Sequence, residues 1–490
     1  MRRSAIRPLC KIKVNITIAL LGVIAMACSS QLRQDHMVLI EQGEFSRARA
    51  VIQDRLQNDP DLTPLLRLEL QFEIERLDRI EQDFTVTEEE VTSYIKTVIP
   101  DVTAADLQRW EESKALEYMI IDDEKRYFAR AGRNLFRIDH DAKAQWEAKH
   151  KDEQTTTATA AKLELDKHDL KVIGAAISTG QRYVEPVRLR IKQAVTVAEN
   201  ANTAGEIIRC WIPFPREIPG RQDNIRLIAT EPEQHLVADN NTHLQRTVYF
   251  EKSAQTDTKT RFEVQYEYTS HGTYVLIDLS RVLPVDIIPE LAPYIQEEPP
   301  HIVFTAELKK LSREIVGKET NPYLIARKLF AWVDTNIPWA SAREYSTIRN
   351  ISAYCYENMH GDCGIQTLLF ITLCRMNAIP ARWQSGWEFK PPDDSMHDWG
   401  MIYFAPYGWL PMDVTYGIRK TEDDRLKWFY VSGMDSYRLI FNDAYSQAFY
   451  PAKIHPRSET VDSQRGEVEW RGGNLYFDQW DWEFEWQVLD

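Results

Sequence analysis

"HGDCGIQTLLF", residues 360–370, decides how the rest of the chain is read. Ile365, Leu368, Leu369, Thr372, Leu373 and Met376 recur at helical spacing, and Asn377 followed by Pro380 marks an end. The pattern predicts a helix that starts at Cys363 and buries one face. A thiol in a first turn sits among backbone N–H groups that lack helical partners, at the positive end of the dipole. Such groups favour a thiolate, the nucleophilic form of sulfur, and can hold the oxyanion formed when it attacks a carbonyl. Cys374 lies about 16 Å along the same helix, too far for a disulfide. A Cys355–Cys363 disulfide is the structural alternative to a reactive thiol.

A sulfur nucleophile needs a base. Downstream runs "SMHDWGMIYFAPYGWLPMDVTYG", residues 395–417. Alternation puts His397, Trp399, Met401 and Tyr403 on one face of a strand, and Trp409, Pro411 and Asp413 on one face of the returning strand. A loop centred on Pro406 sets His397 opposite Thr415, with Asp413 its diagonal neighbour at about 7–8 Å. A loop centred on Tyr407 carries Asp413 out of reach unless a bulge intervenes. Asp398 should point off the face of His397 and be structural.

"GDCG" (361–364), "IPARW" (379–383), H-x-W at 397–399 and "GWLPMD" (408–413), in that order, resemble the transglutaminase-like superfamily of papain-type cysteine enzymes. The resemblance spans about residues 320–420. It implies a core in which the cysteine-bearing helix packs on an antiparallel sheet, with Cys363 as nucleophile, His397 as base and then acid, and Asp413 orienting the imidazole. It also implies oxyanion donors at the Cys363 N–H and an upstream aromatic. Trp339 is the candidate for the second donor, with core packing as the competing reading. Trp383, Trp387, Trp399 and Trp409 are candidates for a substrate cleft. The family's usual glycine before "IPAR" is Ala378 here, and Asn377 is in place to supply a left-handed cap. No cofactor or metal is implied: the chain has neither a D-x-D-x-D-G calcium loop nor a C-x-x-C pair. The implied activity is attack on amides of peptide or protein substrates through a thioester, then hydrolysis. Transfer of the acyl group to an amine, and an inactive fold that binds peptide or glycan, are the alternatives.

Working outward, Arg2, Arg3, Arg7, Lys11 and Lys13 precede "VNITIALLGVIA", an apolar run of signal-peptide length. Ala25-Met26-Ala27-Cys28 resembles the cleavage site of a bacterial lipoprotein, so residues 1–27 read as a signal peptide and Cys28 as the lipidated residue. A lipid-anchored protein of the cell envelope, periplasmic or on the cell surface, is expected. Loss of the five basic residues takes the formal charge of −15 to roughly −20. That balance excludes a nucleic-acid partner, which needs a basic footprint.

The expected organisation is α+β and multidomain. Residues 28–150 read as mainly helical, with a turn at Gly43, Thr87/Glu90 and Thr103/Asp106 as helix starts, and a hairpin turning at Asp122-Asp123. This region is scaffold or a docking site for a partner protein. A linker and connecting segment follows at 151–179, opened by the polar run "KDEQTTTATAAK". An antiparallel β-sandwich is expected at 180–300, where Val187, Leu189, Ile191, Val195 and Val197 alternate with polar residues, as do Phe262, Val264, Tyr266 and Tyr268. Cys210 reads as a buried small hydrophobe. The catalytic domain takes 301–445 and an aromatic β-hairpin 446–490. In that hairpin Trp480, Trp482, Phe484, Trp486 and Val488 share one face, for packing or for contact with sugars or peptides.

Overall fold

The computed structural model of the protein describes residues 36–151 and 157–489. The expected signal peptide, the expected lipidation residue Cys28 and the start of the expected linker lie outside them. The described residues divide into two compact units, 36–88 with 118–128, and 89–117 with 129–151 and 157–489.

In the first unit, helices Phe45–Asn58 and Pro64–Asp83 pack with the hairpin Tyr118–Ile121/Glu124–Tyr127 around Phe45, Ile52, Leu70, Leu77, Phe84 and Tyr127. Asp122 and Asp123 both take positive φ, as the turn needs. Gly43 also has positive φ, and a Cβ there would stand 2.4 Å from the Ile120 carbonyl oxygen. Asp122 accepts the Ser46 N–H at 2.9 Å, which ties the hairpin to the start of a helix.

The second unit holds Cys363, His397 and Asp413. Thr103 and Asp106 form the expected capping box of helix Ala104–Glu112. The expected connector is instead helical over Thr157–Thr179. Its inner stripe is Leu165, Asp169, Val172, Ile173 and Ala176, a helical spacing interrupted by a buried aspartate. Asp169 is accommodated by the Tyr430 hydroxyl at 3.4 Å and Arg419 at 3.9 Å.

The sandwich is built from two antiparallel sheets. Leu189, Ile191, Val195, Val197, Phe262, Val264, Tyr266 and Cys210 are fully buried between them. The strands of residues 183–273 do not close the sheets alone. Glu467–Trp470 pairs with Ile207–Pro213, and Trp480–Leu489 pairs with Tyr183–Val197. The tail is therefore no separate hairpin; its strands are shared between the two sheets. Its aromatic face is only partly covered: Trp480 is buried, Phe484 stacks on Trp387 at 4.1 Å and the Trp486 indole donates to Asp394 at 2.6 Å, while Trp482 and Val488 stay exposed.

The segment that leads into the first of those strands is pinned by one buried carboxylate. Glu467 accepts from Lys453 Nζ at 2.8 Å, from the Ser458 N–H at 2.8 Å, and from Arg457. Burial opposes its charge, but Arg457 and Lys453 hold the carboxyl down at about 2. A depressed carboxylate contributes stability that is present above its unfolded value, near 4.5, and lost as pH falls toward 2. Hydrogen-exchange protection at residues 453–458 is thus expected to hold down to about pH 4.5 and fall between there and about pH 2. Glu467→Gln should show no such dependence; the same acid transition in that variant would refute the assignment.

The sheet that bears His397 has four antiparallel strands in the order Gly408–Met412, Asp393–Phe404, Ala381–Lys390, Arg438–Asn442. Helix Cys363–Met376 packs on it with Gly364 to Arg375 buried on every side, so it is the centre of the core and not an amphipathic cover. Asn377 ends it in a right-handed conformation, and the left-handed residue is Ala378 at φ 55°. The backbone therefore keeps the shape that the resemblance associates with glycine, at a cost of about 1 kcal/mol for the added Cβ. Asn377 instead spends its amide on the Leu373 carbonyl and Ser312 Oγ, at 2.8 and 2.7 Å. Among the described residues no helix is long and apolar enough to cross a membrane.

Candidate active site

Asp362 is the N-cap that starts the thiol-bearing helix. Its carboxylate accepts the Ile365 N–H at 3.1 Å and the Tyr345 hydroxyl at 2.7 Å. The next residue, Cys363, is partly exposed. The Cys363 S–H donates to Asp398 Oδ2 at 3.4 Å, and the sulfur also meets the Asp398 backbone N–H. The sulfur therefore rests against the peptide that follows His397. Gly364 makes room for this arrangement: a Cβ there would stand 2.1 Å from Tyr345 Oη and 2.8 Å from Asp398 Oδ2.

His397 lies on strand Asp393–Phe404. The ladder pairs Gly400 with Met412 and Phe404 with Gly408, which centres the loop on Pro406. With that register the His397 Nε2 and Asp413 Oδ2 atoms are 2.8 Å apart. The other ring nitrogen, Nδ1, takes no hydrogen bond among the described residues, and no hydrogen bond joins the ring to Cys363. Asp413 is wholly buried. Burial opposes its charge, yet His397 and then Arg438 hold the carboxyl below its ordinary value.

Arg438 supports this pair. It is fully buried and sends Nη1 to Asp413 Oδ2 at 2.8 Å, and Nη2 and Nε to Asp435 Oδ2 at 2.8 and 3.0 Å. Glu388, on the neighbouring strand, lies 3.5 Å from the same guanidinium and 4.0 Å from His397 Nε2. The Tyr416 hydroxyl donates to Glu388, and the Tyr416 N–H donates to Asp413 Oδ1 at 3.3 Å. The imidazole is thus set in a field of carboxylates with one guanidinium fixing their positions.

Several expectations are overturned by these contacts. Cys363 and Cys355 are both free, and Cys355 is sealed in the core, so no disulfide joins them. A resting thiolate is not favoured: burial, then the Asp398 and Asp362 charges, push the Cys363 thiol well above its ordinary value. The helix start does stabilise an anion, but Asp362 occupies that position. Asp398 does not point away from the site; its carboxyl is the thiol's partner. Trp383, Trp387 and Trp399 are at most 1% exposed and belong to the core, so they line no cleft. Trp409 is partly buried at the far end of its hairpin, against Tyr294, Tyr403 and Arg382. Trp339 is not a core residue: it is 41% exposed and bridges Gly361, two positions before the thiol.

Other participants had no motif to announce them. Arg137, from helix Ala131–Ile138, lies over the Trp339 ring at 4.4 Å, and Asn134 holds the Ser341 backbone through two hydrogen bonds of 2.8 and 2.9 Å. Gln464 donates to Asp398 Oδ1 at 2.9 Å and to the His397 carbonyl at 3.1 Å. Asp462 is buried, and its carboxyl and that of Asp398 act on each other. Among the described residues no group of three or more acidic, histidine or cysteine side chains has the arrangement of a metal site.

Residues 309–414 match the model of the transglutaminase-like superfamily. Among solved structures the chain is similar to a protein of Cytophaga hutchinsonii provisionally named a cysteine protease, at 17% identity and a TM-score of 0.43 over 63% of this chain and 92% of that one. It is also similar to the periplasmic domain of TgpA from Pseudomonas aeruginosa, at 12% identity and a TM-score of 0.23 over 51% of this chain and 92% of that one. No curated protein matches the chain.

Proposed function

We propose, from a transglutaminase-like segment at residues 309–414 and from what surrounds it, that the protein is a thiol enzyme that opens amide bonds of peptides or proteins. The observation that carries this reading is the 2.8 Å contact of His397 with a buried Asp413, beside a cysteine at a helix start. The thiol proton passes to His397 Nδ1 as sulfur bonds to the carbonyl carbon, and Asp413 stabilises the imidazolium without taking its proton. The Cys363 N–H receives the oxyanion, with the exposed Trp339 as a second donor. His397 then protonates the leaving amine, and a thioester remains. Water entering opposite His397 completes hydrolysis; a primary amine in its place gives acyl transfer. Export, a lipid anchor at Cys28 and an envelope location complete the proposal, resting on the basic, apolar and small-residue pattern of residues 2–28. The mainly helical region of residues 28–150 is scaffold or a docking site for a partner protein in the same reading.

The test uses the mature protein without its lipid and a mixed peptide pool, with product masses read with and without an added primary amine. Products that gain water, absent with Cys363→Ala, are the expected result. Products that gain the amine make the protein an acyltransferase, and identical products from the Cys363→Ala variant sink the thiol mechanism.

A further inference from the structure

We propose that Asp398 is a third proton-carrying group of this site: when neutral it permits a sulfur–imidazole ion pair, and when ionised it suppresses that pair, so Cys363 loses reactivity as pH rises. The inference rests on Cys363 being the nucleophile, but not on which bond it attacks.

The geometry is specific. Asp398 Oδ2 accepts the thiol at 3.4 Å and the Tyr345 hydroxyl at 3.4 Å, while Oδ1 accepts Gln464 Nε2 at 2.9 Å. The Asp462 carboxyl completes the shell. Asp398 and Asp462 are both buried and lie within each other's influence, and neighbouring buried carboxyls resist ionising together, so one of the two keeps a proton. Burial and the Asp398 charge push Asp462 well above its ordinary range, so Asp462 keeps that proton. Asp398 then becomes the group that gains or loses the next one. Burial pushes it up to about 7, with Asp462 pulling down and Asp362 pushing up. Asp362, at the helix start, is raised by burial to about 6 and faces the same sulfur. Behind Asp462 the nearest cations are Arg465 and Arg457. Asp462 and Gln464 both lie outside the span that matches the family model, so this device belongs to the chain's own C-terminal segment.

Protons balance as follows. With Asp398 neutral, the thiol proton moves to His397 Nδ1, and the Asp398 O–H turns its hydrogen bond to the new S⁻. Both carboxyls keep their protons, and nothing is oxidised or reduced. With Asp398 ionised, the same transfer sets S⁻ against a carboxylate 3.4 Å away, and the equilibrium returns to the neutral thiol. The ion pair is therefore lost with rising pH until direct ionisation of the thiol restores reactivity in strong alkali.

Alkylation of Cys363 by iodoacetamide, followed by intact mass against pH, tests this without any substrate. The wild-type rate is expected to fall through about pH 7 and rise again only in strong alkali. Asp398→Asn should abolish the fall and react about tenfold or more faster than wild type at pH 8. Asp462→Asn, which keeps a neutral polar group beside Asp398, should keep the fall. A wild-type rate that climbs steadily with pH overturns the proposal with no variant needed. So does a fall that persists in Asp398→Asn or disappears in Asp462→Asn. Absence of amide turnover with the fall intact would sink the proposed function and leave this inference standing; turnover without the fall would do the reverse.

Discussion

Arg438→Met is expected to destabilise the folded protein by about 3–5 kcal/mol and to remove activity with it. The guanidinium is fully buried and balances Asp413, Asp435 and, more distantly, Glu388. A methionine fills much of its volume but leaves those carboxylates facing one another without the guanidinium, with Lys390 beside Glu388 as the remaining lysine or arginine cation. Asp435, which Arg438 and Lys390 hold far below the ordinary carboxylate range in spite of burial, would have to take up a proton. The urea midpoint reads the loss. A drop smaller than about 1 kcal/mol would show that the cluster relaxes or admits water. Arg438→Met with Asp435→Asn should recover part of the loss, because the second change removes one of the stranded charges.

His397→Gln should slow formation of the thioester by about 10³-fold while leaving the fold intact. Glutamine can still donate to Asp413 from its amide, so the network keeps a partner. It cannot accept the thiol proton or return one to the leaving amine. Single-turnover acylation, read as the mass of the acylated protein, measures the step directly. In the same variant, alkylation of Cys363 should lose its acid-range reactivity and climb only with direct ionisation of the thiol. A fall of less than about tenfold in acylation would mean that another group takes the proton, and the Asp398 carboxyl would be the first to suspect.

The parts of the site that were legible in the sequence depend on local geometry. A helix start is encoded within a few residues, so "GDCG" announces where Cys363 will stand. The His397–Asp413 pair depends on strand register, and a register is set by one short loop. Asp398 was misread because strand alternation was applied to its side chain, whereas the sulfur docks on the Asp398 backbone itself and so reaches the carboxyl attached to it. Trp383, Trp387 and Trp399 were assigned to a cleft because an aromatic on a catalytic strand has the same sequence signature in a core; their burial settles it. Helix Thr157–Thr179 was obscured by the polar run before it and by Asp169 in its inner stripe. Arg438, Asp462 and Gln464 carry no motif, since they come to the site from beyond it and only the tertiary fold brings them there.

The sharing of the last strands between both sandwich sheets has a consequence for how the chain comes into being. Lys192 and its cross-strand partner Glu485 are 293 positions apart. Threaded residue by residue from a ribosome or through a membrane pore, the first sandwich strands emerge with the edge of Tyr183–Val197 unoccupied. They wait there for the final stretch of polypeptide to arrive. Asp462 and Gln464 arrive in that same closing stretch. The thiol's surroundings are therefore finished last, and a half-made molecule carries an unfinished thiol site until its own synthesis is complete.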